Sequence, residues 1–235
     1  MKRQIPNLLT LCNLTCGALA AYMASLGWLH RAALLMLAGI VFDFLDGMAA
    51  RLLKVPSPMG KELDSLADVV TFGLAPSAML FYLFHEVHCP EMRLPVRRVL
   101  PYSAFLMAAF SALRLAKFNL DERQHYGFIG LPTPANALFW GSLVLGEHAL
   151  LVSLKFNAVF LFLFMLLSCM LLVSEVPMLA LKFRNMSWRD NRERYVFLVG
   201  CLPLLLLGTT ALAAIIIWYI VVSVAFPLLT KKVYN

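Results

Sequence analysis

Apolar segments long enough to cross a membrane follow one another along most of this chain, and they constrain its fold more than any other feature. A helix needs about 20 mostly apolar residues to span the hydrocarbon core of a bilayer. Six segments reach that length: 8–29, 32–50, 65–84, 99–118, 133–153 and 156–181. The stretch 195–229 favours two short spans with a turn near Gly208 over one long tilted span.

The composition agrees with a membrane protein. The chain is 61% hydrophobic and 14% charged, whereas soluble domains contain about 45–50% apolar and about 25% charged residues. We therefore predict an all-α, polytopic bundle of eight transmembrane helices, with a six-helix core and two peripheral helices over about 195–230. The polar connections are short, so residues 1–235 are predicted to form a single membrane-embedded domain.

The basic residues are divided unevenly between the two ends of these predicted helices. Fifteen of the 20 Lys and Arg residues fall on the side that carries both termini, and five fall on the other side. Because cytoplasmic loops are enriched in Lys and Arg, both termini are predicted to be cytoplasmic. The net charge of +7 is then a feature of topology, and we predict no nucleic-acid partner.

Four of the six aspartates lie close together, between residues 43 and 68. Asp43 and Asp46 are three residues apart near the end of the second apolar segment, and residues at that spacing share one face of a helix. Asp64 and Asp68 have the equivalent spacing of four at the start of the third. A connection with two prolines separates the pairs and must break the helix. An antiparallel arrangement would therefore bring four carboxylates together near the cytoplasmic interface.

Clustered carboxylates repel one another and are costly to bury, and divalent cations relieve both problems. An all-oxygen ligand set favours Mg²⁺ or Mn²⁺, and two such ions can clamp a phosphoryl group during its transfer. The alternative is a proton relay or an ion-transport site, which also uses intramembrane acids. Gly47, Ala50 and Gly60 would let a flat ligand approach closely, and Arg51 could pair with a phosphate.

The spacing D-x2-D-G-x2-A-R-x8-G-x3-D-x3-D, from Asp43 to Asp68, resembles the signature of the CDP-alcohol phosphotransferase family. The stretches 5–17, 60–77, 111–119 and 128–136 are similar to the phosphatidylserine synthase branch of that family. The resemblance implies transfer of a phosphatidyl group from CDP-diacylglycerol to the hydroxyl of L-serine, which yields phosphatidylserine and CMP. It also implies a homodimer. The distribution of Lys and Arg predicts that the active site faces the cytoplasm, in a protein of the cytoplasmic membrane surrounded by membrane lipids.

The resemblance further implies residue roles. Asp43, Asp46 and Asp64 would bind two metal ions, and Asp68 would serve as a partial ligand and as the general base. The residues expected to bind the CDP group and its diphosphate are Asn7, Thr10, Asn13, Asp46, Gly47, Ala50, Arg51, Gly60 and Lys61.

Two of these sets have structural alternatives. Asn7, Thr10 and Asn13 form a polar stripe along the first helix, but Asn7 could cap that helix and Thr10 could bond to its backbone. Arg114, Lys117 and Asn119 are predicted to bind the acceptor, although the two basic residues could equally be topology determinants. The same chemistry with glycerol 3-phosphate or an inositol phosphate as acceptor remains an alternative, and a metal or proton transporter is a more distant one.

Overall fold

The computed structural model describes residues 4–55, 57–89, 93–121, 128–179 and 191–230, and it is almost entirely helical. The α-helices are α1 Gln4–Ser25, α2 Leu29–Leu52, α3 Pro58–Asp68, α4 Ala75–Glu86, α5 Leu94–Val99, α6 Leu106–Leu120, α7 Thr133–Gly146, α8 His148–Leu151, α9 Ala158–Val173, α10 Arg192–Leu204 and α11 Ala211–Thr230. A two-residue ribbon pairs β1 (Phe128–Ile129) with β2 (Pro177–Met178) in antiparallel register. The predicted all-α membrane fold is confirmed.

Helices α1 and α2 form a tight hairpin whose turn contains Gly27, with φ at +81°. Small residues let the neighbouring backbones approach closely, as is common between membrane helices. A Cβ atom at Gly17 would lie 2.6 Å from the Cα of Thr71, and one at Gly39 would lie 2.6 Å from the Thr71 methyl group. Both helices therefore pack closely against the segment that follows α3.

The third span begins with a side-chain cap. Ser57 has extended backbone angles, its Oγ accepts a hydrogen bond of 3.0 Å from the Gly60 amide, and Pro58 follows at the first helical position. Both features are typical of a helix N-terminus. After Asp68 the helix widens into a π turn over Val69–Leu74 before α4 continues it. Helix α3, which carries a polar face, and the apolar helix α4 are thus parts of one continuous helix.

The C-terminal helices fold back on each other at the predicted position. Gly208 has φ +63° and ψ −127°, which interrupts the helix between α10 and α11. The Trp218 indole donates a hydrogen bond of 3.2 Å to the Phe197 carbonyl, and the Trp218 ring packs against Gly200. Residues before and after the turn therefore lie side by side, as the two-helix prediction requires.

Five helical segments within the described ranges are long and apolar enough to cross a membrane: Gln4–Ser25, Leu29–Leu52, Pro58–Glu86, Leu94–Leu120 and Arg192–Ala225. The last of these includes the break at Gly208. The segments predicted over 133–153 and 156–181 form shorter helices, since α7 has 14 residues and α9 has 16. The chain is therefore an integral membrane protein, while these lengths do not establish the predicted count of eight spans.

Candidate active site

Three of the four motif aspartates meet in space. Asp43 on α2 and the pair Asp64 and Asp68 on α3 each place a carboxylate oxygen so that the three oxygens lie within 4.8 Å of one another. The spacing of four residues stacks Asp64 and Asp68 on one face of α3, and that face is turned toward α2. The antiparallel arrangement predicted from the sequence thus gathers this carboxylate trio.

The carboxylate trio is partly enclosed. Asp68 is only 9% exposed, at the point where α3 passes into the π turn. One oxygen each of Asp64 and Asp68, Oδ1 in both cases, is buried without a hydrogen-bond donor from the part of the chain that the structure describes. Buried polar atoms normally have partners, so these oxygens are available to a ligand that supplies positive charge.

Asp46, the fourth aspartate, lies beside the trio and has a protein partner. It is 6% exposed, and the Thr10 hydroxyl of α1 donates to its Oδ2 over 2.6 Å. The same hydroxyl lies 3.0 Å from the Pro6 carbonyl, so the backbone contact considered as an alternative for Thr10 is present as well. Helix α1 therefore fixes the orientation of one motif carboxylate.

The donor set of the trio fits a hard divalent cation. Mg²⁺ binds oxygen at about 2.0–2.1 Å in octahedral geometry, which places ligand oxygens about 3–4 Å apart. The mutual spacing within 4.8 Å is compatible with such a sphere after small side-chain adjustments. The two buried, unpartnered Oδ1 atoms are further support. Asp43, Asp64 and Asp68 could therefore hold the metal that the motif implies, and Asp46 could complete the set.

The residues predicted to bind the nucleotide are distributed around this cluster. A Cβ atom at Gly60 would lie 3.0 Å from the Ser57 hydroxyl and 3.4 Å from the Asn7 side-chain oxygen. Within the described part of the chain, a Cβ atom at Gly47 would meet only Arg51, at 3.9 Å, so Gly47 has open space around it there. Arg51 is exposed, and its Nε donates to the Gly47 carbonyl over 2.9 Å. Ala50 is partly buried and Lys61 is exposed.

The polar stripe on α1 is divided between three environments. Asn7 lies inside the helix, which already includes Gln4, so it is not the N-cap. Thr10 contacts Asp46, as described above. Asn13 is fully buried beside Gly39, and its amide atoms have no partner among the described residues. Asn7 is thus placed at the rim of the cluster, and Asn13 between the helices; the ligand contacts of both stay predictions.

The residues predicted to bind the acceptor separate into two groups. Asn119 donates from Nδ2 to the Ser65 hydroxyl over 2.8 Å, which links α6 to α3 between Asp64 and Asp68 in sequence. Arg114 and Lys117 instead line a cavity of about 320 Å³. Arg114 is 6% exposed, and its guanidinium carbon lies 5.0 Å from the centre of the Phe118 ring.

Sequence reasoning missed the other wall of this cavity. Ser174 and Glu175, which follow α9, line it together with Asp121. A charged residue within an otherwise apolar segment was the available signal, because Glu175 falls inside the predicted span 156–181. The end of α9 at Val173 places Glu175 outside the helix.

Fold and site together define a class: an α-helical integral membrane protein with a carboxylate cluster between its first three helices. The chain belongs to the CDP-alcohol phosphatidyltransferase family, which it matches over residues 3–187. The match contains the whole carboxylate cluster and both walls of the cavity.

Individual relatives share one name. The chain is 43% identical over 130 residues to the CDP-diacylglycerol–serine O-phosphatidyltransferase of Bacillus subtilis (strain 168), covering 55% of this chain and 69% of that protein. The enzyme of the same name from Helicobacter pylori (strain J99) is 37% identical over 135 residues, covering 57% and 54%. That from Methanocaldococcus jannaschii is 36% identical over 155 residues, covering 66% and 65%. The chain thus spans 54–69% of the length of these three relatives.

Proposed function

We propose that this protein transfers the phosphatidyl group of CDP-diacylglycerol to the hydroxyl of L-serine, forming phosphatidylserine and CMP. The carboxylate trio of Asp43, Asp64 and Asp68 is the observation that carries this proposal. It provides the site that phosphoryl chemistry needs, in a chain of the appropriate family. The shared name of the relatives supports serine as the acceptor.

The donor would bind with its diphosphate at the carboxylate cluster and its acyl chains in the membrane. Asp43, Asp46 and Asp64, with Asp68 in part, would hold one or two Mg²⁺ or Mn²⁺ ions. Such ions would neutralise the diphosphate and favour departure of CMP. The open backbone at Gly47 and the narrow space at Gly60 would accept the flat cytidine, with Ala50 and Asn7 nearby. The exposed side chains of Arg51 and Lys61 would pair with phosphate oxygens.

The chemical step is an in-line displacement. The serine hydroxyl oxygen forms a bond to the phosphorus that carries diacylglycerol, and the bond from that phosphorus to the bridging oxygen breaks. CMP leaves with the bridging oxygen. Asp68 accepts the hydroxyl proton, since its carboxylate belongs to the cluster and its buried Oδ1 has no hydrogen-bond donor among the described residues. A base held within hydrogen-bond reach of the reacting hydroxyl is typical of such catalysis.

Arg114 and Lys117 would attract the serine carboxylate, while Asn119 would hold α6 in register with α3 through Ser65. We further propose that the cluster faces the cytoplasm, that both termini are cytoplasmic and that the protein is a homodimer in the cytoplasmic membrane. The distribution of Lys and Arg supports the orientation, and the family resemblance supports the dimer.

The test uses purified protein in detergent with CDP-diacylglycerol, Mn²⁺ or Mg²⁺, and a panel of acceptors, while CMP release is followed. The proposal predicts CMP release that depends on serine. CMP release that depends instead on glycerol 3-phosphate or an inositol phosphate would keep the chemistry and replace the acceptor. Ion flux in proteoliposomes without CMP release from any acceptor would favour a transporter.

A further inference from the structure

We propose that Glu175 binds the ammonium group of the acceptor amino acid and thereby selects a zwitterion over an anionic acceptor. This inference rests on the proposed function, because it assigns a specificity residue for the acceptor of that reaction. Glu175 lines the same cavity as Arg114 and Lys117, and sequence analysis assigned it no role.

The cavity has the size and charge of a site for a small zwitterion. Its volume of about 320 Å³ lies at the lower end of the range of about 300–1,000 Å³ for small-molecule sites. Lys117 and Arg114 on α6 supply positive charge, and Glu175 supplies negative charge from the segment after α9. A free amino acid carries one carboxylate and one ammonium group, which match the basic and the acidic residues that line this cavity.

Arg114 provides independent support for a ligand. The residue is buried, with only 6% of its surface exposed. Its Nε and Nη2 atoms have no hydrogen-bond acceptor within the described ranges, although it lines the cavity. Buried guanidinium nitrogens without acceptors are costly, and a ligand carboxylate could satisfy these two with two parallel hydrogen bonds.

Backbone hydrogen bonds hold the segment that contains Glu175 at the cavity. The Gly130 amide donates to the Val176 carbonyl and the Leu131 amide to the Leu171 carbonyl, both over 2.9 Å. Gly130 has φ +75°, and a Cβ atom there would lie 2.7 Å from the Leu172 carbonyl oxygen. Only glycine fits such a close approach. The loop before α7 therefore fixes the chain on either side of Glu175.

Glu175 is also available to a ligand. Its carboxylate is exposed and forms no hydrogen bond or ion pair with the residues that the structure describes. Asp121 lines the same cavity but already has an interaction of its own. A carboxylate here would attract an ammonium group and repel a phosphate, so it disfavours glycerol 3-phosphate by electrostatic repulsion.

The experiment compares the full-length wild type with Glu175→Gln and Glu175→Asp in detergent, with separate KM measurements for L-serine and CDP-diacylglycerol. Loss of a charged partner should raise the KM for serine about tenfold or more in Glu175→Gln. The KM for CDP-diacylglycerol and kcat should stay within about twofold. Glu175→Asp should recover part of the serine affinity. Glu62→Gln removes an exposed carboxylate outside the cavity and should match the wild type.

An unchanged KM for serine in Glu175→Gln, with an active wild type, would overturn this inference alone. A fall in kcat together with a rise in both KM values, in Glu175→Gln and in Glu175→Asp alike, would also overturn it, because this result would indicate a structural role. A wild type that releases no CMP with serine would instead overturn the proposed function, and this inference with it.

Discussion

The hydroxyl of Thr10 donates a hydrogen bond of 2.6 Å to Oδ2 of Asp46, and this contact joins α1 to the motif on α2. It gives the polar stripe of α1 a role that needs no direct ligand contact. Because Asp46 lies three residues after Asp43, the bond orients a carboxylate next to the trio. Partners that orient a metal ligand commonly affect metal affinity as much as they affect the fold.

Removing that hydroxyl should therefore weaken metal binding. Thr10→Val keeps the shape of the side chain and should raise the Mn²⁺ concentration for half-maximal activity by about 10–100-fold. Thr10→Ser should retain most of the wild-type affinity. Thr15→Val is the matched control on the same helix, since the exposed Thr15 hydroxyl bonds, among the residues that the structure describes, only to the Leu11 carbonyl. Equal metal requirements for Thr10→Val and Thr15→Val would contradict the positioning role.

Asp68→Asn should separate catalysis from binding. The amide cannot accept the serine proton, so turnover should fall by about a hundredfold or more. The variant should still bind CDP-diacylglycerol when metal is present, because Asp43, Asp46 and Asp64 remain. Turnover is followed by CMP release and binding by equilibrium titration with CDP. A near-normal rate in Asp68→Asn would show that another group is the base.

Chelation should abolish activity reversibly. Treatment with EDTA should stop CMP release, and Mg²⁺ or Mn²⁺ should restore it, because the trio offers only oxygen ligands. Asp43→Asn should raise the metal concentration needed by about tenfold or more, since it removes one charged ligand. Full activity in EDTA would rule out the metal account of the cluster.

Substitution by alanine at two glycines should have different effects, on the stability of the fold in one case and on donor binding in the other. A Cβ atom at Gly17 would lie 2.6 Å from the Thr71 backbone, so Gly17→Ala should destabilise the fold by about 1–3 kcal/mol. Gly47 has open space, so Gly47→Ala should unfold at the wild-type temperature but raise the KM for CDP-diacylglycerol. Thermal unfolding in detergent and steady-state kinetics distinguish the two. Equal unfolding temperatures for the two variants would contradict the packing argument.

The orientation is testable through Cys89, which lies three residues after the end of α4. In a variant that keeps only this cysteine, a membrane-impermeant maleimide should label intact cells. A cysteine introduced at Glu62, at the opposite end of that span, should react only after permeabilisation. The reverse pattern would place the carboxylate cluster outside the cytoplasm.

The carboxylate trio could be predicted because its determinants are local. Spacings of three and four residues set the helical faces, and the prolines between Asp46 and Asp64 force the chain to reverse. Glu175 could not be placed in this way. Its place in the cavity lined by Arg114 depends on a ribbon between distant segments and on the backbone angle of Gly130.

The sequence did not predict where α7 and α9 end, because contacts between distant segments are involved there as well. The predicted span 133–153 yields an α7 that ends at Gly146, and Glu147 then accepts a hydrogen bond from Thr210 over 2.9 Å. The predicted span 156–181 ends at Val173, because the following residues pair with the loop before α7. Tertiary hydrogen bonds are thus present where both helices end.

The most direct test of the proposed phosphatidyl transfer is to follow the hydroxyl oxygen of serine. Purified protein is supplied with CDP-diacylglycerol, metal and L-serine labelled with ¹⁸O in its hydroxyl, and the lipid and nucleotide products are examined by mass spectrometry. The account predicts labelled phosphatidylserine and unlabelled CMP in equal amounts. Label in CMP, or CMP released without phosphatidylserine, would contradict it.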